Sequence, residues 1–331
     1  MSAPDLKTRL LTTLEQKLTG IELPSKPASL YDPFRYALAV GGKRIRPLST
    51  LLACGMCGGK EENAMSAALA VEILHNFTLV HDDIMDSADT RRGKPSVFKK
   101  WSEDIAILSG DVMFAGAMQE LGYYAHSDEY SKQEFSAVYD VFLKSVITVC
   151  EGQALDMDFV DRQDVTLPEY IEMISGKTAA LLSGSLELGA IAAHATDIQR
   201  TELAQLGMEM GIAFQIQDDL LDAIADPEKF GKRAGGDIFE GKKTYLTILA
   251  LERANKEQAT IIKQTLLSKD TTEESVQSVL EIMKNLNVLN DVANEIKKRY
   301  DTSYELISHF PESEYKTELE KLLIFLQNRD H

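Results

Sequence analysis

In residues 66–86 the apolar side chains Leu69, Ile73, Phe77, Val80 and Ile84 recur at i, i+4, i+8, i+11 and i+15, the rhythm of one helix face. The same period runs through residues 104–125, 133–160, 167–194 and 201–223, and no stretch sustains the period-2 alternation of a strand. Prolines punctuate this pattern. Pro24, Pro27, Pro33, Pro47, Pro95, Pro168, Pro227 and Pro311 fall at or near expected helix starts, where proline is tolerated. None lies between Pro95 and Pro168 or between Pro168 and Pro227, so long helices are allowed there. Thr166-Leu167-Pro168-Glu169 reads as a capping box with a first-turn proline. The chain has 331 residues, 44% of them hydrophobic, enough for a large core, and no low-complexity linker divides it. The expectation is an all-α protein with one domain over residues 1–331. Long helices around a central cavity are a known setting for carboxylate metal sites.

Two of these helical runs carry aspartate clusters of identical spacing, Asp82-Asp83-Ile84-Met85-Asp86 and Asp218-Asp219-Leu220-Leu221-Asp222. Residues three and four apart share a helix face, so Asp82 and Asp86 should stack with Asp83 beside them. Carboxylates that close repel and call for a cation. Hard oxygen donors with room for water suit Mg²⁺, which takes one or two carboxylates plus substrate phosphates. One such cluster alone reads best as a solvated acidic face. Both, however, follow apolar runs, residues 76–80 and 211–216, which a solvated face rarely has. Two clusters facing each other would grip a diphosphate through several magnesium ions.

The formal net charge of −17 argues against nucleic acid, whose phosphates demand a basic surface. Three cysteines, Cys54, Cys57 and Cys150, argue against a disulfide framework and for a reducing compartment. Cys54 and Cys57 form a lone CxxC that reads as two small residues at a helix end. Residues 1–20 are polar and helical in period, with no apolar signal region, and no apolar run is long enough to span a membrane. The expected location is the cytoplasm.

Basic residues mark possible anion sites. Gly41-Gly42-Lys43-Arg44-Ile45-Arg46-Pro47 sets two glycines before three cations, and arginine gives bidentate phosphate contacts. Thr90-Arg91-Arg92-Gly93-Lys94 follows the first acidic cluster directly. Either run alone reads as surface charge. His75 lies seven residues before Asp82, about two helical turns, and so on its face.

Five motifs occur in order. They are Gly42-Lys43-Arg44 with Arg46-Pro47; His81-Asp82-Asp83 with Asp86; Asp89 with Arg91-Arg92-Gly93; Gly176-Lys177-Thr178; and Phe214-Gln215 with Gln217-Asp218-Asp219 and Asp222. In these the chain resembles the trans-isoprenyl diphosphate synthases, from about Phe34 to Lys242. The resemblance implies an all-helical fold around a deep central cavity and a homodimer. It implies head-to-tail (1′-4) condensation of an allylic diphosphate with isopentenyl diphosphate. Asp82, Asp83, Asp86, Asp218 and Asp222 would hold magnesium, in all about three ions with substrate bound, with Asp219 in support. Arg91, Lys177, Lys232 and Lys242 would contact the allylic diphosphate. Lys43, Arg46, His75 and Arg92 would hold isopentenyl diphosphate, and Thr178 and Gln215 would lie near the reacting carbons.

Product length would follow from Phe77, five residues before Asp82 and roughly 7 Å along the axis, as part of a cavity floor. With Thr78 beside it and no insertion between Asp83 and Asp86, the pattern resembles the geranylgeranyl-forming (C20) members, with farnesyl (C15) next. Alternatively, Phe77 only packs against another helix. A class I terpene cyclase is a rival, but the second aspartate cluster and the Lys43/Arg46 pair speak against it. A non-catalytic partner subunit is another, but such subunits typically lose an aspartate cluster. A third is an acidic helical scaffold without chemistry.

Overall fold

A computed structural model describes residues 5–162, 164–224, 234–268 and 270–329. Helices dominate: α1 (Leu6–Thr19), α2 (Ala28–Ala39), α3 (Ile45–Met56), α4 (Glu61–Met85), α5 (Val97–Lys100), α6 (Glu103–His126), α7 (Lys132–Asp161), α8 (Leu167–Ile174), α9 (Ala180–Ala192) and α10 (Asp197–Ile224). After residue 233 come α11 (Gly236–Phe239), α12 (Tyr245–Arg253), α13 (Lys256–Leu267), α14 (Glu273–Asn285), α15 (Val288–Ser308) and α16 (Glu314–Gln327). The all-α expectation holds, and the runs 104–125, 133–160 and 201–223 each fall inside one helix. Among the described residues no helix is long and apolar enough to cross a membrane.

The chain divides into two compact units, Met1–Val146 with Leu181–Ala204 and Phe310–Leu319, and Ile147–Ala180 with Gln205–His309 and Glu320–His331. In the first unit α4 packs against α3 and α6. Ala64, Ala67, Ala68 and Ala70 keep the α4 surface low there, while Leu69, Val71, Ile73 and Leu74 fill its core. The last two turns of α4 carry the first aspartate cluster, and Asp86 caps the helix. Cys57 caps α3, and burial pushes the Cys54 and Cys57 thiols up to about 12, so neither is a thiolate at neutral pH. Pro33 departs from expectation: it lies inside α2 rather than at its start, where Pro27 is the N-cap.

Periodicity alone did not foresee two features. Thr90–Arg91 pairs with Lys94–Pro95 as a minimal antiparallel hairpin, Thr90 opposite Pro95 and Arg91 opposite Lys94. Its turn residues Arg92 and Gly93 have φ of 52° and 74°, the positive values a two-residue hairpin turn requires. Two-residue strands are too short to show alternation; Pro95 closes this hairpin directly before Ser96, the N-cap of α5. In the second unit, α8 opens with the expected box, the Thr166 side chain and Glu169 capping each other's backbone. But the run 167–194 is not one regular helix. Ser175–Ala179 forms a π-helical turn, a feature frequent at functional sites.

Candidate active site

At the end of α4 the three aspartates part company. Asp83 is buried and turned to the hairpin, where Arg91 Nε and Nη2 donate to its Oδ1 at 2.8 and 2.5 Å. Burial raises the Asp83 carboxyl, and Arg91 opposes that rise. Arg91 Nη2 also stands 3.5 Å from Asp82 Oδ2. Asp82 is partly exposed and Asp86 exposed, so solvent reaches both. Asp83, expected beside the stacked Asp82 and Asp86, is a braced carboxylate, while the other two are ones that water or a metal ion can reach.

A second group in the same unit is cationic. Arg46 Nη1 lies 3.4 Å from His75 Nε2, and its Nε is buried with no hydrogen-bond partner among the described residues. Burial lowers the Arg46 guanidinium, Glu72 opposes the shift and Arg92 adds to it. Burial, then Arg46, Arg92, Arg91 and Arg44, push His75 well below its ordinary range, so it is a neutral imidazole at pH 7. A Cβ on Gly42 would fall 2.5–2.9 Å from the Arg92 guanidinium, so only glycine lets that cation lie against this backbone. Lys43 is exposed on the same loop. Arg46 lowered by Arg92 beside a neutral histidine makes this group a candidate seat for an anion.

Phe77 packs edge-on to His81, ring centroids 4.7 Å apart, and 6.0 Å from Phe114 of α6. Gly110 leaves room for His81, whose Nε2 a Cβ there would meet at 2.2 Å. The Thr78 hydroxyl is turned back to the His75 carbonyl at 2.8 Å. Phe114 escaped sequence reading because nothing in its own helix marks it.

The second unit holds the other cluster. Asp219 is buried; Tyr170 donates to its Oδ2 and Gln215 Nε2 to its Oδ1 at 3.2 Å. Burial pushes its carboxyl up to about 7, against those hydrogen bonds. Gln215 Oε1 in turn accepts from the Thr178 hydroxyl at 2.9 Å. Asp219 therefore orients Gln215 and is not presented to solvent. Asp218 is half-exposed and pairs with Arg329 at 2.6 Å. Asp222 Oδ2 accepts from the Asp237 backbone N–H at 2.9 Å. Lys177 Nζ reaches Asp156 at 2.5 Å, and Lys242 Nζ reaches Glu240 at 2.6 Å and Asp237 at 3.3 Å. Lys232 lies outside the described residues.

The π turn that presents Lys177 and Thr178 is held by close backbone approaches. A Cβ on Gly152 of α7 would meet Lys177 N at 2.1 Å, and one on Gly211 of α10 would meet the Ala179 Cα at 2.4 Å. Tyr170, Asp156 and Arg329 join the site here. Tyr170 and Asp156 are unremarkable in sequence, and Arg329 lies 111 positions beyond Asp218.

Among the described residues no three acidic, imidazole or thiol groups converge into a closed metal cage. The carboxylates of Asp86, which is exposed, and of Asp82, Asp218 and Asp222, which are partly exposed, suit an ion whose shell is completed by water and phosphate, the habit of Mg²⁺. An all-helical chain bearing two such clusters and a separate arginine seat is built to handle phosphorylated substrates with divalent metal. The polyprenyl synthetase family model matches residues 27–283, and the chain belongs to that family. It is 42% identical to the geranylgeranyl diphosphate synthase of Saccharolobus solfataricus over 279 residues, 84% of this chain and 83% of that one. The crystal structure of geranylgeranyl pyrophosphate synthetase from Pyrococcus horikoshii superimposes with a TM-score of 0.90, at 35% identity and 98% coverage of each chain. The polyprenyl synthase of Caulobacter crescentus, crystallised with calcium and isoprenyl diphosphate, gives 0.84 at 26% identity over the whole of both chains.

Proposed function

We propose that this chain is a Mg²⁺-dependent prenyltransferase that joins an allylic diphosphate to isopentenyl diphosphate head to tail, with geranylgeranyl diphosphate as its main product. The observation that carries this is the arginine seat: Arg46, its Nε buried without a partner, lies beside Arg92 and neutral His75, a cationic group that an anionic ligand would complete. Lys43, Arg46, His75 and Arg92 take the diphosphate of isopentenyl diphosphate. Asp82 and Asp86 in the first unit, and Asp218 and Asp222 in the second, take magnesium, about three ions in all. Asp83, though in the first motif, serves mainly to brace Arg91, and Asp219 to orient Gln215. Arg91, Lys177 and Lys242 offset charge on the allylic diphosphate, a role that Lys232 shares.

Mg²⁺ held by Asp82, Asp86, Asp218 and Asp222 would, when bound, stabilise the charge that develops on departing pyrophosphate. The chain's own groups do the rest. As the allylic C–O bond breaks, its electron pair leaves with pyrophosphate and the carbon becomes a cation. The Thr178 oxygen and the Gln215 carbonyl, fixed to each other at 2.9 Å, present partial negative charge to that cation. The double bond of isopentenyl diphosphate, placed by the arginine seat, supplies the electrons of the new C–C bond. The adduct then loses a proton to the released pyrophosphate. No protein nucleophile is required, and orientation with exclusion of water supplies the remaining barrier reduction.

The C20 assignment rests on Phe77 backed by His81 and Phe114, and the relatives named as geranylgeranyl diphosphate synthases support it. We take the working form as a cytoplasmic homodimer; exposed Ile107 and Leu108 on α6 offer apolar surface for a second copy. Asp82→Ala and Asp218→Ala test the assignment. Each should lower kcat by about a hundredfold or more with the fold retained. Undiminished Mg²⁺-dependent turnover in either would overturn it.

A further inference from the structure

We infer that Arg44 is a positioning residue for the isopentenyl diphosphate subsite, an inference that rests on the function proposed above. Arg44 sits between Lys43 and Arg46, yet it faces away from any ligand role. Its side chain is 3% exposed, and every guanidinium nitrogen already has an acceptor. Nη1 donates to Glu72 of α4, Nε to Glu15 Oε1 of α1 at 2.7 Å, and Nη2 to the Leu38 carbonyl of α2 at 2.9 Å. Three helices therefore converge on one guanidinium, whose planar fork makes several bonds at once.

The backbone at Arg44 is left-handed, φ 49° and ψ 35°, a conformation non-glycine residues adopt only when their surroundings enforce it. The tripod of acceptors supplies that enforcement. It also sets the loop against α4. Glu72 lies three residues before His75, one turn away on the same face. Arg44 meets Glu72 while Arg46 meets His75 at 3.4 Å, so the N-cap and the second residue of α3 are tied to two adjacent turns of α4. Asn76 Nδ2 donates to Glu72 Oε1 at 2.9 Å and fixes that carboxylate in turn. Releasing Arg44 frees the loop that carries Lys43 and the start of α3 that carries Arg46, and a shift of about 1 Å in such groups is enough to lose binding.

Arg44→Lys keeps the charge and loses the fork; Glu72→Gln keeps the shape and loses the charge. In either, KM for isopentenyl diphosphate is expected to rise about tenfold or more, with KM for the allylic diphosphate and kcat within about twofold. A merely structural role would move both KM values together, and that result, or an unchanged KM for isopentenyl diphosphate, overturns the inference. Hydrogen exchange on the wild-type protein needs no variant. The Arg44 Nε–H, which donates to Glu15 Oε1, should exchange slowly without substrate, and isopentenyl diphosphate should slow it further by no more than about twofold. Fast exchange that slows greatly on binding means that the substrate orders the loop, and overturns the inference even if both variants fail to fold. If the wild-type protein does not use isopentenyl diphosphate at all, the proposed function fails, while the exchange measurement without substrate still reports on Arg44.

Discussion

Arg329 Nη2 stands 2.6 Å from Asp218 Oδ1, so a residue 111 positions further along the chain neutralises the first carboxylate of the second aspartate cluster. Its guanidinium lies 3.7 Å from the centroid of the Phe214 ring and donates to the Phe214 carbonyl at 2.7 Å. A cation placed this way competes with a metal ion for the same oxygen. Arg329→Gln should therefore tighten Mg²⁺ binding severalfold in the absence of substrate, read by titration calorimetry. The loss of the charged hydrogen bonds should lower stability by about 1–2 kcal/mol. Weaker Mg²⁺ binding in a folded variant would show that Arg329 supports the metal site.

Gly152 and Gly211 set the position of the π turn. An added methyl on Gly152 meets the Lys177 backbone nitrogen, which cannot swing aside as a side chain would. Gly152→Ala should cost about 1–3 kcal/mol in urea unfolding and lower kcat more than it raises either KM, because Thr178 moves away from Gln215. An unchanged kcat would separate the turn from the chemistry.

The neutral His75 makes an acid-side prediction. Its pKa is depressed in the folded protein by burial and by Arg46, Arg92, Arg91 and Arg44. The unfolded chain therefore binds the proton first as pH falls below about 6.5, and the stability present above that pH is lost on the way down. His75→Asn removes this contribution. Between pH 7.5 and 5.5 the wild-type protein should lose more stability than the variant, by up to about 1.4 kcal/mol per pH unit below 6.5. Parallel unfolding curves across that range would mean that His75 titrates normally.

Much of this was legible in the chain. The helices of the aspartate clusters follow from apolar period, because their buried faces run for several turns. The Thr166 cap follows from local hydrogen-bonding chemistry. The separation of Asp83 from Asp82 and Asp86 was not legible, since spacing places all three on one face and only the hairpin decides which one meets Arg91. The hairpin was itself hidden by its length. The π turn was hidden because 167–194 keeps a helical apolar period while Gly152 and Gly211, both in other helices, admit the extra residue. Tyr170 and Arg329 reach the second cluster from positions 49 and 111 residues away, distances over which a single sequence carries no pairing signal.

Phe77→Ala removes the ring that packs on His81 and Phe114. The variant should make products longer than C20 while keeping kcat for the first condensation within about threefold. Chain-length analysis of the products by mass checks this. An unchanged product length would place the floor elsewhere and leave Phe77 as a packing residue.

The most direct test is condensation itself. Purified protein with Mg²⁺ and isopentenyl diphosphate is given C5, C10 and C15 allylic diphosphates in separate reactions, and the prenyl alcohols are identified by mass after phosphatase treatment. The structure predicts elongation from each primer, ending mainly at C20. Failure to lengthen any of the three, in folded protein that binds Mg²⁺, would contradict the account.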